Sequence, residues 1–144
     1  MIRSAVTPDR VPCSTPDRHS VVALTIAVTN DGDRTVELPL LRVWIPNDRI
    51  AKPATLTTDP GTIAAAPGPA TPWATCTSGD GVVFAQPLPP ADGIGAHQTV
   101  ELRLDGIVVN TVPGAVAIQL RLPDGSTTDL TVHKEIGAAR AEHR

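Results

Sequence analysis

Aromatic side chains are nearly missing from this sequence. Trp44, Trp73 and Phe84 are the only three in 144 residues, and there is no tyrosine. Stacking platforms for single strands or sugar rings need more rings than that. Positive charge is also in short supply: twelve Lys and Arg face fifteen Asp and Glu, for a formal net charge of -3. The basic residues are interspersed and form no stripe, which removes the electrostatic footprint of a nucleic-acid binder. No apolar run approaches the roughly 20 residues of a membrane span. Cysteine is limited to Cys13 and Cys76. Two are too few for a structural zinc site without two suitably spaced histidines. No histidine lies close to Cys76, and His19 falls outside the usual local spacing from Cys13.

What is present is an ordinary core. Leu, Ile, Val and Phe make up a quarter of the chain, above the roughly 20% below which disorder becomes the default. The length is that of one domain, and a domain near this size buries about two-thirds of its extended surface. Proline, at 15 residues, cannot donate to a ladder or continue a helix. It predicts many short elements and many connections. The excess of Arg over Lys and the abundance of Ala read as the codon bias of a high-GC bacterial genome.

The periodicity is that of strands. Val22, Leu24, Ile26 and Val28 alternate with Ala23, Thr25, Ala27 and Thr29, and Asn30-Asp31-Gly32-Asp33 then supplies turn chemistry. Val36, Leu38 and Leu40 resume the alternation. After a phase slip at Leu40-Leu41, Val43 and Ile45 follow. Two adjacent apolar residues beside Pro39 predict a bulge or a change of sheet, so the two runs form a hairpin or an inter-sheet corner. The segment 46–90 is weaker and rich in proline. Short strands are expected around Thr55-Leu56-Thr57 and Thr62-Ile63-Ala64, an extended connector over 65–72, and a better strand at Val82-Val83-Phe84-Ala85. In the last third, Val100, Leu102 and Leu104 precede a bend at Asp105-Gly106. Val116, Ile118, Leu120 and Leu122 then lead through Pro123-Asp124-Gly125-Ser126 into Leu130 and Val132.

Short strands with one apolar face predict an all-β, antiparallel two-sheet sandwich of seven to nine strands, because two facing sheets bury both apolar faces. A small closed barrel satisfies the same periodicity. The expected organisation is a polar N-terminal arm over 1–18, a β-sandwich over 19–136 and a flexible tail over 137–144.

The stretch Leu24-Thr25-Ile26-Ala27-Val28-Thr29-Asn30-Asp31-Gly32-Asp33, with Val36 and Leu38 behind it, resembles the second and third strands of bacterial immunoglobulin-like domains of the CARDB-like kind. Val100-Glu101-Leu102-Arg103-Leu104 matches a later core strand of such domains. The resemblance covers about a fifth of the chain. It implies a non-catalytic binding or spacer role, in a family whose members are usually secreted.

Candidate chemistry is sparse. His19, His97, His133 and His143 form no i, i+2 or i, i+4 pair, so no local chelate is encoded. Ser20, His97 and an aspartate make a triad only on paper, since no Gly-x-Ser-x-Gly elbow positions a nucleophile. Asp31, Asp33, Asp80 and Asp124 lie in turn sequences and match no calcium loop. The expectation is therefore a chain that is not an enzyme, with no catalytic residues, no metal and no cofactor. Cys13 and Cys76 either form one disulfide, pinning the N-terminal arm to the Pro-rich middle, or remain free thiols. Trp44 faces outward if Val43 and Ile45 face the core, and inward if the slip at Leu40-Leu41 reverses the phase. Trp73 is expected to cap one end of the core.

Trp44, Gln119 and Arg121 are the candidate interface residues. The expected function is that of a β-sandwich module acting through protein contacts, as an assembly, adaptor or structural component. Its partner would be another protein chain or a second copy, with no nucleic acid and no membrane span. The hairpin over 115–134, least guarded by proline, is the first candidate for pairing. The alternative is a small-ligand or carbohydrate-binding module using loops 46–60 and 87–97 at one end of the sandwich. With no signal peptide visible behind Arg3, the expected location is cytoplasmic, or extracellular by a non-classical route.

Overall fold

The computed structural model describes residues 2–68 and 71–136. These residues are all-β apart from one 3-10 turn at Pro60–Thr62. Twelve strands follow in order: β1 (Ile2–Thr7), β2 (Arg10–Pro12), β3 (Ser20–Asn30), β4 (Val36–Glu37), β5 (Leu41–Trp44), β6 (Ala64–Pro67), β7 (Trp73–Thr77), β8 (Val82–Pro87), β9 (Gly93–Ile94), β10 (Thr99–Val109), β11 (Gly114–Arg121) and β12 (Thr127–Glu135). The count exceeds the expected seven to nine because several strands are only two to four residues long. One sheet has the order β1-β3-β10-β6, a second β2-β12-β11-β5-β8-β7, and β4 with β9 forms a separate ribbon.

Both large sheets feed one core. Leu24, Ile26 and Val28 of β3 and Val100, Leu102 and Leu104 of β10 meet Leu41 and Val43 of β5, Val83 and Ala85 of β8, and Val116, Ile118 and Leu120 of β11. Each buried aliphatic side chain contributes about 1.5–3 kcal/mol of transfer free energy. The alternation survives an interruption in β10. The register shifts between Leu104 and Ile107, and the one extra residue on β10 lets Ile107 and Val109 point inward again. Gly106 takes φ +72 there, and a Cβ on it would lie 2.5 Å from the Thr62 carbonyl oxygen, so no larger residue fits without movement.

The slip at Leu40-Leu41 is a change of sheet. Leu38 is buried beside the β4–β9 ribbon, Leu40 is half-buried, and Leu41 is buried in the second sheet. The runs on either side are thus the arms of an inter-sheet corner, not a hairpin.

Several expectations are corrected. The polar N-terminal arm over 1–18 is not an arm: β1 pairs with β3 and β2 pairs with β12. Val11, Cys13 and Ser14 are buried. The β2–β12 ladder is parallel, so the fold is not purely antiparallel. The connector expected over 65–72 begins with β6, which pairs with β10. Thr55-Leu56-Thr57 forms no strand, though Leu56 and Thr57 are buried and Thr57 bridges Asn47. The 115–134 hairpin exists, but β5 pairs with β11 at Gln119–Arg121 and β2 covers β12 at His133–Glu135, so both of its outer edges are partly taken within the fold. The expected tail over 137–144 lies outside the described residues.

Candidate functional site

Strand β5 lies inside the second sheet, between β11 and β8. Leu41 and Val43 are fully buried, so Arg42 and Trp44 project from the opposite side by simple alternation. Trp44 faces outward and is 39% exposed, which settles its phase. The register places Gln119 and Val82 directly beside Trp44, and Arg121 and Phe84 directly beside Arg42. Two rungs result: Gln119–Trp44–Val82 and Arg121–Arg42–Phe84. All three residues singled out in the sequence, Trp44, Gln119 and Arg121, stand on this one face.

The guanidinium of Arg42 lies over the Phe84 ring, 5.7 Å from its centroid, a cation–π contact that orients it. Arg121 is its cross-strand neighbour. Like charges directly opposite are unfavourable, and among the described residues neither arginine has an ion-pair partner. The nearest carboxylate in register is Asp129, opposite Gln119 and diagonal to Arg121. Asp124, in the adjoining turn, is occupied by the Ser126 amide and hydroxyl at 2.8 and 2.6 Å.

Two open hollows flank the arginine pair. One, of about 210 Å³, is lined by Trp44, Val82 and Gln119 with both arginines. The other, of about 260 Å³, is lined by Leu40, Leu122 and Pro123 with both arginines. Both are below the roughly 300–1,000 Å³ of small-molecule pockets. Arg42, Val82, Phe84 and Leu40 escaped the sequence reading. Arg42 and Leu40 share the parity of Trp44 and were legible in principle. Val82 and Phe84 sit in an unbroken apolar run, in which an outward side chain has no local signature.

A second polar concentration lies inside the molecule. Lys134 is 3% exposed. Its Nζ donates to the carbonyl oxygens of Lys52 and Thr55 and, at 2.8 Å, to Asn110 Oδ1. Asn110 Nδ2 donates to the Thr55 carbonyl at 2.8 Å. Burial pushes the Lys134 ammonium below its ordinary value, against an opposing pull from Cys13. Burial likewise raises the Cys13 thiol, with Lys134 working against the shift. All three N–H bonds of the ammonium are occupied, so this lysine ties the loop after β5 to β12 and is not placed to react.

The remaining candidates are dispersed. Cys13 follows β2 and Cys76 lies in β7, the two opposite edges of the six-stranded sheet. At about 4.8 Å per strand they are more than 20 Å apart, whereas a disulfide needs Cα atoms within about 7 Å. Both are free thiols, Cys13 buried and Cys76 exposed, which overturns the disulfide. His97 pairs with Asp33 at 2.9 Å on the surface, at the end of β3 that carries Asn30. Ser20 begins that strand, some 30 Å away at about 3.3 Å per residue, so no triad forms. Asp31 pairs with Arg3, and Asp80 with Ser78. Loops 46–60 and 87–97 leave opposite ends of β8, since Ile45 bonds to Gly81 before β8 and the second loop follows Pro87. They cannot build the shared site that the ligand-binding alternative requires. Trp73 is 2% exposed, and its indole N–H has no hydrogen-bond partner among the described residues.

No family model matches the chain and no curated protein matches it, so the CARDB-like resemblance stays one of motif. Among solved structures, the chain is similar to BslA, a bacterial hydrophobin, at 10% identity over 93% of this chain and 98% of that one, with a TM-score of 0.49. It is also similar to an immunoglobulin-like protein from Nocardia farcinica, at 14% identity over 83% and 82% and a TM-score of 0.42. A third is the BIgI domain of the S. agalactiae beta protein, solved bound to CEACAM1, at 13% identity over 94% and 96% and a TM-score of 0.36. No helix among the described residues is long and apolar enough to cross a membrane.

Proposed function

We propose that this chain is a non-catalytic, immunoglobulin-like β-sandwich module that works through protein contacts on the outer face of its six-stranded sheet. The observation that carries the reading is the pair of rungs centred on Trp44 and Arg42. Trp and Arg are the residue types that most often dominate binding energy at interfaces. Here both project from a rigid central strand, with apolar Val82 and Leu40 beside them. Rigid presentation lowers the ordering cost of association. The partner is another protein chain.

A random peptide library selected on the immobilised protein tests the reading. Enriched peptides should bind the wild-type chain, and Trp44→Ala should weaken them at least about tenfold while leaving the melting transition nearly in place. Peptides that bind Trp44→Ala as well as wild type, or a selection with no enrichment over an unrelated sandwich domain, would overturn it.

A further inference from the structure

We infer that the Arg42–Arg121 ridge receives a carboxylate side chain from an extended, acidic segment of the partner, whose apolar residues two positions to either side enter the flanking hollows. This inference rests on the contact face proposed above and names what that face recognises.

The reasoning begins with the unrelieved charge. Arg42 and Arg121 are cross-strand neighbours in register on β5 and β11, and among the described residues neither has an ion-pair partner, which leaves both guanidiniums available to an anion. Arg42 is already oriented by Phe84, so little further ordering is needed to present a fork to a planar carboxylate. The pair also lies between two hollows that share both arginines. Arg42 and Trp44 are successive outward positions of β5, and half-buried Leu40, two residues before Arg42, immediately precedes the strand and lines the hollow on that side. Each step is about 6.6 Å, the same as the step between same-side residues of an extended ligand. A partner segment reading apolar-x-acidic-x-apolar therefore matches the face rung for rung.

Competing occupants fit less well. A second copy packed two-fold on this face would bring four guanidiniums together. A bare phosphate would engage the arginines and leave both apolar hollows unfilled. Asp129 stands diagonal to Arg121 and sets a boundary on the β12 side, so the acidic group is expected over β5, not beyond β11.

The test uses the full chain, isotope-labelled, with capped probe peptides Ser-Leu-Ser-Glu-Ser-Leu-Ser, the same peptide with Gln or Lys in place of Glu, and inorganic phosphate. The Glu peptide should shift the amide signals of β5 and β11 and bind about tenfold more tightly than the Gln or Lys forms. Its advantage should shrink as salt is raised, since the pair is near the surface. Arg121→Glu should reverse the order and favour the Lys peptide, a change that lost packing alone would not produce. If Glu and Gln peptides bind equally, the carboxylate assignment falls while the contact face stands. If phosphate shifts the same signals as strongly as the Glu peptide, the site is a simple anion site and the inference falls. If no probe touches β5 and β11 although library peptides do, the extended pattern is wrong. If neither binds, the proposed face itself fails.

Discussion

The two large sheets turn similar residues inward and very different residues outward. On the outer face of the four-stranded sheet, the outward row of β3 is Thr25, Ala27 and Thr29, all half-buried, and Ala66 lies opposite Arg103 on the neighbouring strands. Two ion pairs lie there: Arg103 Nε is 2.9 Å from Asp105 and Arg3 holds Asp31 at the rim, while Thr29 and Thr99 share a hydroxyl hydrogen bond of 2.8 Å. The outer face of the six-stranded sheet carries Trp44, Phe84, Val82 and the cross-strand arginines Arg42 and Arg121. One face pairs charges within itself; among the described residues the two arginines of the other have no ion-pair partner, and the difference lies in residues that the core does not constrain.

The largest effects come from removing what both faces share. Leu102→Ala deletes a fully buried side chain at the centre of the core and should cost about 2–5 kcal/mol. Urea unfolding should remain one transition, with the amide signals of β3 in one sheet and of β11 in the other reporting the same midpoint. Separate midpoints would show that the two sheets hold together independently.

Lys134→Met should cost about 1–3 kcal/mol, because it leaves buried carbonyl oxygens without their donor. It should also speed amide exchange in the loop after β5 while leaving β3 and β10 protected. The alkaline limb carries a sign. The folded Lys134 sits below the ordinary 10.5. Between that lowered value and 10.5 the unfolded chain binds more protons, and stability rises with pH. Cys13 acts oppositely: its thiol is raised above 9.0, so from that point the unfolded chain loses a proton the folded chain keeps, and stability falls. In a Cys13→Ala background the urea midpoint should therefore climb through the alkaline range, and adding Lys134→Met should flatten it. A falling midpoint in the single variant would show that the three oxygens outweigh burial.

The smallest effects bear most directly on the contrast between faces. Arg121→Glu converts a repulsive cross-strand pair into an attractive one and should stabilise the chain by about 0.2–1 kcal/mol. Arg103→Glu on the other face removes a matched pair between Glu101 and Asp105 and should destabilise by a similar amount. Thermal melts at low salt decide it. Shifts of the same sign for both would erase the electrostatic distinction between the two faces.

Strands β3, β8, β10, β11 and β12 were legible because each carries its own apolar residues, and the turns at Asn30-Asp31-Gly32 and Pro123-Asp124-Gly125 bound them. Strands β1, β2 and β6 were not. In β1, Ser4 takes an inward position between Ile2 and Val6, which blurs the alternation. In β6, Ala64-Ala65-Ala66-Pro67 has almost no side chain to pattern, and the strand forms because β10 offers it an edge. Trp44 could be placed outward only conditionally, since its phase hung on the slip at Leu40-Leu41. The opposition of Arg42 and Arg121 had no local trace at all, because the two residues are far apart in the chain and meet only when β5 inserts beside β11.

The sequence by itself determined that this chain is all-β, which side of most long strands is greasy, and where the tight turns fall. Those properties depend on neighbours two residues apart, and alternation encodes them locally. Tertiary structure alone decided which strands lie side by side, and with that the distance between Cys13 and Cys76, the burial of Lys134 and the meeting of two arginines. Cross-strand register brings together residues far apart in the chain, and side-chain type in one strand leaves no mark of what will stand opposite.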